Sequence, residues 1–381
     1  MKTLFRLLRP DAERVWHDTE VRQRFSRYYD IMRNNRVARY LIAKKIAVEK
    51  PTNEDSKDQL PLEKLWAQHD AAIPRFKTLL KRLDAGEAEY DSLDTPEYSF
   101  LDLKVALLQR ILANCELCER RCQKNRYQEH GYCRLGPDPV ISSAFLHHGE
   151  EGPLVPSGTI FFESCVFRCV FCQNSDISQE WDRKNGKTIS GEVMAPERMA
   201  RIARHLAKEG ARNINYVTPT PNAAAIITSL KAQTTNITQL WNSNMYSTEQ
   251  VWRVILDVMD FHLPDFKYWE NAFARKMSGV RDYRETVARN IRLAHEEGSG
   301  EIIIRHLVMP GRIEADTLPI LEWVAEEVPQ ALVNIMGQYR PAYKVRHDSQ
   351  YRDFRRGATR KEMEQAYKKA DELGILWRPV S

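Results

Sequence analysis

The pattern of apolar residues along the chain changes at about residue 158. Before this point, apolar positions recur at helical spacing, as in Val21, Phe25, Tyr28 and Met32, which would share one helix face. After it, short apolar runs alternate with amphipathic helical segments. Six of these runs are predicted to be strands: 159–162, 214–217, 237–241, 259–263, 302–308 and 331–336. A strand followed by a helix, repeated six times, predicts a parallel sheet covered by helices.

Several predicted helices have recognisable ends. Pro196 suits the first position of a helix that Gly210 would end. Three residue pairs have the spacing of a capping box: Ser99 with Asp102, Ser247 with Gln250, and Thr359 with Glu362. The polar segment 49–60 is predicted to be a linker. These signals divide the chain into helical segments of ordinary length.

The number of strand–helix units indicates the fold class. Six units are too few for a closed eight-stranded barrel, so we predict an α/β fold with an open, partial (β/α)6 barrel. In such folds the chemistry lies at the carboxyl ends of the strands. We predict three regions: a basic helical extension over 1–110, a four-cysteine knuckle with its connector over 111–150, and the barrel over 151–381.

Composition is that of a globular, water-soluble protein. The chain has 381 residues, of which 43% are hydrophobic and 29% are charged. No apolar run approaches the roughly 18 residues of a membrane-spanning helix. Arg6 and Arg9 interrupt the first apolar residues, which makes this segment too charged for a secretory signal. We therefore expect a cytoplasmic location and no membrane partner.

Positive charge is concentrated near the amino terminus. Residues 1–50 contain 13 Lys and Arg against 6 Asp and Glu, whereas the whole chain has a formal charge of +5. The arginines could form a phosphate-binding surface for a nucleic acid. They equally suit the solvated face of an amphipathic helix that packs on the body of the protein.

Seven cysteines lie between positions 115 and 172. An odd number without a secretory signal argues against a disulfide framework. The first four are Cys115, Cys118, Cys122 and Cys133, spaced C-x2-C-x3-C-x10-C. Four thiolates at this spacing could converge on one metal ion, either zinc or iron, with no ligand position left open. A structural metal site is therefore expected here.

The other three cysteines, Cys165, Cys169 and Cys172, follow the first predicted strand with the spacing C-x3-C-x2-C. Three close thiolates without a fourth make a poor closed tetrahedral site. They suit a 4Fe–4S cluster in which three irons are held by cysteine and one iron is open. An open iron can bind a substrate or cofactor, so this loop is the candidate centre of the chemistry.

The C-x3-C-x2-C loop, with Phe171 before its last cysteine, resembles the signature of the radical S-adenosylmethionine (SAM) superfamily. From Cys115 to about Arg378 the chain resembles the subgroup that is similar to pyruvate formate-lyase activating enzymes. Besides both cysteine groups, the matching segments are 148–151, 157–162, 172–178, 213–220, 263–267, 304–311 and 336–344. The resemblance implies a partial radical SAM barrel.

The resemblance also implies an activity. Cys165, Cys169 and Cys172 would hold a 4Fe–4S cluster at which SAM is reductively cleaved to a 5′-deoxyadenosyl radical. This radical would abstract hydrogen from a protein, as in the activating enzymes, or from another macromolecule such as RNA. The enzyme would be an oxidoreductase that takes electrons from a donor such as flavodoxin or ferredoxin.

A set of SAM contacts is implied in the same way. It comprises Phe171, Asn174, Thr218, Asn242, Asp265, Lys267 and Tyr339. An Asp suits the SAM ammonium group and a Lys suits its ribose or carboxylate, although the two also suit an ion pair at a strand end. Thr218 lies where these enzymes commonly have a Gly-Gly-Glu motif, Asn242 where they often have an acid, and Tyr339 where they have a histidine. No side chain is assigned as catalytic.

Other functions remain open at this point. A mutase or methylase of a small molecule would use the same scaffold. A metal-stabilised nucleic-acid-binding protein would use the knuckle and the arginines instead. Five residues are candidates for the substrate side, although buried ion pairs and ordinary hydrogen bonds would explain them equally well: His148, Glu150, Glu151, Arg305 and His306.

Overall fold

The computed structural model of the chain describes residues 9–50, 61–179 and 191–381. Most of the predicted linker 49–60 lies outside these ranges. The strands are β1 (Val140–His147), β2 (Ser157–Phe162), β3 (Glu192–Val193), β4 (Asn213–Val217), β5 (Thr238–Ser243), β6 (Phe261–Pro264), β7 (Ile303–Leu307) and β8 (Leu332–Met336). The helices before β1 are α1 (Pro10–His17), α2 (Thr19–Arg24), α3 (Ser26–Met32), α4 (Arg39–Ala43), α5 (Leu62–Asp84) and α6 (Phe100–Ala113).

The remaining helices alternate with the strands. They are α7 (Ser175–Ser178), α8 (Pro196–Lys208), α9 (Ala223–Ala232), α10 (Glu249–Leu256), α11 (Asn271–Ser278), α12 (Tyr283–Glu296), α13 (Leu318–Glu327) and α14 (Arg360–Glu372). Short 3₁₀ turns lie at Tyr90–Ser92, Gly152–Leu154, Thr220–Asn222, Tyr343–Arg346 and Ser349–Phe354, and a π-helical turn at Ile313–Thr317 precedes α13.

The six strands predicted from the sequence are all present, as β2 and β4 to β8. β2, β4, β5 and β6 pair in parallel in that order, and β7 pairs in parallel with β8. Two parallel bridges, His262 with Ile302 and Asp265 with Arg305, connect the β6 side to the β7 side. β1 and β3 extend the β2 edge in antiparallel fashion. The α/β class with a central, mostly parallel sheet is confirmed.

Most of the predicted helix ends are present. Pro196 is the first residue of α8, and Gly210 follows the helix with a φ of +105°. Ser99 with Asp102 and Thr359 with Glu362 form complete capping boxes. In these places the local sequence determines where the helix begins.

The capping box predicted for Ser247 and Gln250 is wrong. The N-cap of α10 is Thr248, and no side chain caps this helix. Ser247 Oγ instead lies 3.3 Å from Thr220 Oγ1, and Gln250 Nε2 donates to Glu116 Oε2 at 3.4 Å. Both side chains bond to neighbouring segments, so tertiary partners replace the local cap.

The amino-terminal helices pack against the inner face of the parallel strands. Val21, Phe25 and Tyr28 are buried in one apolar cluster with residues of four strands: Leu240 of β5, Phe261 and Leu263 of β6, Ile303 of β7 and Leu332 of β8. The ring of Phe25 lies 4.9 Å from that of Phe261, edge to face. The next residue, His262, faces the other way and contacts Trp252 of α10. The predicted apolar helix face therefore fills the inner side of the sheet.

Two buried carboxylates beside the amino ends of β6 and β7 hold the starts of α3 and α4. Glu301 accepts hydrogen bonds from the backbone N–H groups of Arg27 at 2.8 Å and Tyr28 at 3.0 Å. Asp260 accepts one from the backbone N–H of Arg39 at 2.8 Å. Neither helix has a side-chain cap of its own. The sheet thus supplies the acceptors that the first turns of both helices require.

Two of the amino-terminal arginines are buried as well. Arg27 is 6% exposed and pairs with Asp84, and Arg39 is 3% exposed and lies 3.9 Å from Asp257. Their guanidinium groups are engaged inside the protein and are not available to a phosphate backbone.

Within the described residues, no helix combines the length and the apolar character that crossing a membrane requires.

Replacing Phe25 with Ala should lower the free energy of unfolding by about 3–5 kcal/mol, because its fully buried ring fills the inner side of the sheet. Phe145→Ala is the matched control: this ring is 43% exposed, and its loss should cost about 1 kcal/mol or less. Urea unfolding followed by circular dichroism measures both. If both variants lose the same free energy of unfolding, the amino-terminal helices are not part of the core.

Candidate active site

A cavity of about 1030 Å³ lies on the inner side of the parallel strands and reaches their carboxyl ends. Each parallel strand, or the loop that follows it, contributes to the wall, with Thr218 after β4, Asn242 of β5, Asp265 after β6 and Arg305 of β7. Side chains of α1 and of the preceding Arg9 line it too. The amino-terminal extension is therefore part of the site.

The three cysteines after β2 all line this cavity. Each sulfur has a hydrogen-bonding neighbour: the backbone N–H of Phe167 at 3.3 Å from Cys165, Ser278 Oγ at 2.9 Å from Cys169, and Ser178 Oγ at 3.2 Å from Cys172. The loop begins at Ser164, whose φ of +69° turns the chain directly after the strand. The sequence thus delivers three sulfurs to one wall of the cavity.

Two of the three cysteine thiols, those of Cys165 and Cys169, are shielded enough from solvent to shift their pKa values. Burial raises the pKa of Cys165 to about 11 and that of Cys169 to about 12, and the neighbouring cysteines add to both shifts. Such thiols are held as thiolates only beside a strong positive charge, as a metal supplies. Three partly exposed cysteines whose sulfurs have hydrogen-bonding neighbours, at the edge of a large cavity, fit an iron–sulfur cluster.

Six of the seven residues predicted to contact SAM line the same cavity: Phe171, Asn174, Thr218, Asn242, Asp265 and Lys267. The seventh, Tyr339, is placed behind the cavity wall. Its ring lies 5.7 Å from that of Phe171, and its hydroxyl donates to the carbonyl oxygen of Phe354 at 2.9 Å. Tyr339 therefore supports Phe171 in this arrangement.

Asp265 is the centre of a charged network at the carboxyl end of β6. It accepts a hydrogen bond from Lys267 Nζ and another from Arg305 Nε at 2.8 Å. Arg305 also donates to the side-chain oxygen of Asn242. Burial alone would raise the pKa of Asp265, but the two cations lower it below its ordinary value. Asp265 is therefore an anion at neutral pH.

Glu150 and Glu151, from the loop between β1 and β2, also line the cavity. Glu150 Oε1 lies 3.0 Å from His147 Nδ1, and Glu151 Oε1 accepts from Asn334 Nδ2 of β8 at 2.9 Å. Arg9 fixes the loop by donating to the backbone carbonyl of Glu150 at 3.1 Å. The loop thus connects β1 and β2 to β8 through a side-chain hydrogen bond.

The two candidate histidines have other surroundings. His306 is buried, with Nδ1 2.8 Å from the carbonyl oxygen of Phe266 and Nε2 2.9 Å from Thr317 Oγ1. His148 lies in the loop whose backbone Arg9 holds. The structure therefore brings Glu150, Glu151 and Arg305 of the five substrate-side candidates to the cavity, and gives His306 a structural role.

The first four cysteines approach one another beside α6. A β-carbon placed on Gly131 would lie 3.5 Å from the sulfurs of both Cys122 and Cys133. Burial, together with Cys133 and Cys122, raises the pKa of Cys118 to about 12. In the described part of the chain, however, no group of three or more His, Cys, Asp or Glu side chains has the arrangement of a metal-ion site. The metal site stays a prediction.

The four-cysteine segment is attached to the ends of the parallel strands. Arg126 is 2% exposed and donates to three carbonyl oxygens, among them Leu135 at 3.1 Å and Pro221, after β4, at 2.7 Å. Ser164, at the start of the cluster loop, donates to the carbonyl oxygen of Cys133. The two cysteine groups are therefore structurally coupled.

Solved structures with a similar fold include a domain of pyruvate-formate lyase-activating enzyme from Bacteroides vulgatus. It is 13% identical, with 48% of this chain and 89% of that chain covered and a TM-score of 0.31. Streptococcus suis SuiB bound to its precursor peptide SuiA is 12% identical, with 56% of this chain and 45% of that chain covered and a TM-score of 0.37. With TM-scores below 0.5, these likenesses carry no weight in the assignment.

Two sequence comparisons find relatives, and the second of them carries the assignment. An uncharacterised protein of Methanocaldococcus jannaschii is 37% identical over 356 residues, which cover 92% of this chain and 98% of that protein. The family model of the radical SAM superfamily matches residues 159–324, which contain the three-cysteine loop and four of the parallel strands in full. The chain belongs to the radical SAM superfamily.

Proposed function

We propose that this chain is a radical SAM oxidoreductase that removes a hydrogen atom from a protein or another macromolecule. The observation that carries the proposal is the convergence of three cysteine sulfurs and the Asp265 network on one cavity at the strand ends. Cys165, Cys169 and Cys172 would hold a 4Fe–4S cluster, which supplies the electron that cleaves SAM to the hydrogen-abstracting 5′-deoxyadenosyl radical. A flavodoxin or ferredoxin is the proposed electron donor.

The residues around the cluster loop are suited to orient SAM. Asp265, kept anionic by Lys267 and Arg305, complements an ammonium group, and Lys267 complements a carboxylate or a ribose hydroxyl. The buried ring of Phe171 offers an apolar surface to the adenine. These groups would fix the position of the cleaved bond while the apolar wall keeps water away.

Thr218 supports the same assignment through its backbone. Its φ is +60°, which is unusual for a β-branched residue and is retained where the surroundings impose it. Its N–H donates to the carbonyl oxygen of Asn242 at 3.1 Å, so the loop after β4 is tied to the end of β5. We propose that this loop takes the place of the Gly-Gly-Glu motif in binding SAM.

A macromolecular substrate is supported by the charged residues of the cavity wall. Arg9, Asp11 and Arg14 come from the amino-terminal extension, and Arg378, whose side chain is 65% exposed, comes from the other end of the chain. Such a border suits the polar surface of a protein that presents one residue to the interior. Activation of a protein by glycyl-radical formation is one reaction of this class.

We further propose that Cys115, Cys118, Cys122 and Cys133 bind one zinc or iron ion with a structural role. Four cysteine ligands leave no position open for a substrate. Through Arg126 and Ser164 this site would stabilise the loops beside the cavity.

After anaerobic reconstitution with iron and sulfide, the protein with a reductant and SAM should produce 5′-deoxyadenosine, measured by chromatography and mass spectrometry. Cys169→Ala should reduce the product to background, because it removes one of the three cluster ligands. Ser143→Ala, on the exposed side of β1, is the control and should match the parent. Absence of product from the parent, or equal product from Cys169→Ala, refutes the proposal.

Asp265→Asn should weaken SAM binding by roughly 10- to 150-fold, the loss expected for one charge-assisted hydrogen bond. Isothermal titration of the reconstituted protein measures the Kd. Asp316→Asn is the matched control, since Asp316 is also a buried carboxylate paired with an arginine, Arg312, and does not line the cavity. The assignment of Asp265 fails if both variants bind SAM like the parent, or if both lose the same affinity.

The double variant Cys115→Ser and Cys118→Ser should lose about one metal ion per chain, because a four-thiolate site does not hold its ion on two ligands. Elemental analysis of the purified protein identifies the metal and counts it. Unchanged zinc and iron contents would contradict the site.

A further inference from the structure

Glu150 and Glu151 are two buried carboxylates with incomplete hydrogen bonding. They are 9% and 7% exposed, and both line the reaction cavity. Their Oε1 atoms are held by His147 and Asn334, whereas the Oε2 atom of each accepts no hydrogen bond from the described residues. An unpartnered buried carboxylate oxygen is costly, so a donor from outside the protein, or a shared proton, is required.

The charged groups around the pair do not supply that donor. Arg305 is close enough to act on both carboxylates electrostatically, but its hydrogen bonds go to Asp265 and Asn242. Arg9 donates to backbone carbonyls and to Asp11. Lys267 donates to Asp265. Each of these cations is therefore engaged elsewhere.

The two carboxylates also differ in protonation. Burial, followed by the charge of Glu150, raises the pKa of Glu151 to about 7. Burial alone would raise the pKa of Glu150 as well, but His147 and Arg305 hold it below its ordinary value. Near neutral pH the pair therefore carries between one and two negative charges, and one proton can satisfy the facing oxygens until a ligand arrives.

We propose that Glu150 and Glu151 anchor a cationic nitrogen group of the substrate, an ammonium or a guanidinium. Such a group brings the N–H donors that both Oε2 atoms lack and the positive charge that two carboxylates require. On binding, Glu151 gives its proton to the solvent, and the ligand replaces it. A neutral group of the same shape would leave the carboxylates unpaired and should be rejected.

The position of the anchor limits the shape of the substrate. The acidic loop precedes β2 and the cluster loop follows it, and both line the same cavity. Glu151 is bonded to Asn334, whose neighbour on β7, Arg305, is bonded to Asp265 of the proposed SAM site. SAM would occupy the cysteine end of the shared cavity. The substrate would then place its cation at the acidic loop and direct its reacting C–H bond toward the cluster. A lysine or arginine side chain of a protein carries such a cation.

Identifying the bound cation as part of the substrate rests on the proposed enzymatic function. The binding of a cation by the glutamate pair does not. Binding itself can be measured without turnover, on the reconstituted protein with SAM, by isothermal titration at pH 7. The probes are N-acetyl-lysine methylamide, its neutral analogue N-acetyl-norleucine methylamide, and 1,5-diaminopentane. The lysine probe represents a protein side chain, whereas 1,5-diaminopentane represents a small free cation.

The lysine probe should bind at least about 10-fold more tightly than the norleucine probe, the discrimination expected for a charge-assisted pair. Glu150→Gln and Glu151→Gln should each remove most of this difference. Titration in buffers of different ionisation enthalpy should show proton release on binding to the parent and none in Glu151→Gln. Tighter binding of the diamine would support the anchor and assign it to a small substrate.

Equal affinity for the lysine and norleucine probes overturns the anchor, and this comparison needs no variant. Unchanged discrimination in both glutamine variants also overturns it. Glu327→Gln, which changes a carboxylate paired with Arg292 outside the cavity, should leave discrimination intact. A parent that discriminates but forms no 5′-deoxyadenosine would instead refute the proposed function and leave the anchor standing.

Discussion

The structure depends on how the inner face of an open parallel sheet is filled. At the amino ends of the strands, the rings of Phe25 and Tyr28 pack on Phe261. Glu301 and Asp260 cap the helices that bring the amino-terminal segment into place. Because this apolar cluster closes one end, the polar side chains gather at the other. The cavity exists because the extension fills only part of the space, and the extension also contributes to its wall.

Within the cavity, the charged side chains form two connected groups, one at the proposed SAM site and one at the proposed substrate anchor. Arg305 joins Asp265 to Asn242 and acts at a distance on both glutamates, so it connects the proposed SAM site with the proposed substrate anchor. The cysteines line one wall of the cavity, and burial there raises the pKa of the Cys165 and Cys169 thiols. A metal cluster would thus be held beside a network whose cations are already paired. This arrangement explains how one cavity could bind two different ligands in fixed relative positions.

Much of this was accessible from the sequence. The alternation of apolar runs gave all six parallel strands, and cysteine spacing identified the loop that the structure places on the cavity. Predictions from local sequence patterns failed where the hydrogen-bond partner lies far away in the sequence. The caps of α3 and α4 come from Glu301 and Asp260, more than 200 residues away, so no local signal could predict that the extension lies inside the fold. The capping box predicted at Ser247 failed because the side chain bonds to Thr220 in another segment. The free oxygens of the glutamate pair are visible only in three dimensions.

The central claim is that Cys165, Cys169 and Cys172 hold a cluster with one iron open to SAM. Electron paramagnetic resonance of the reduced, reconstituted protein tests it most directly. The account predicts the signal of a single 4Fe–4S cluster per chain, whose shape changes when SAM is added and which is lost in Cys169→Ala. A signal that is identical with and without SAM, or that survives removal of Cys169, would contradict it.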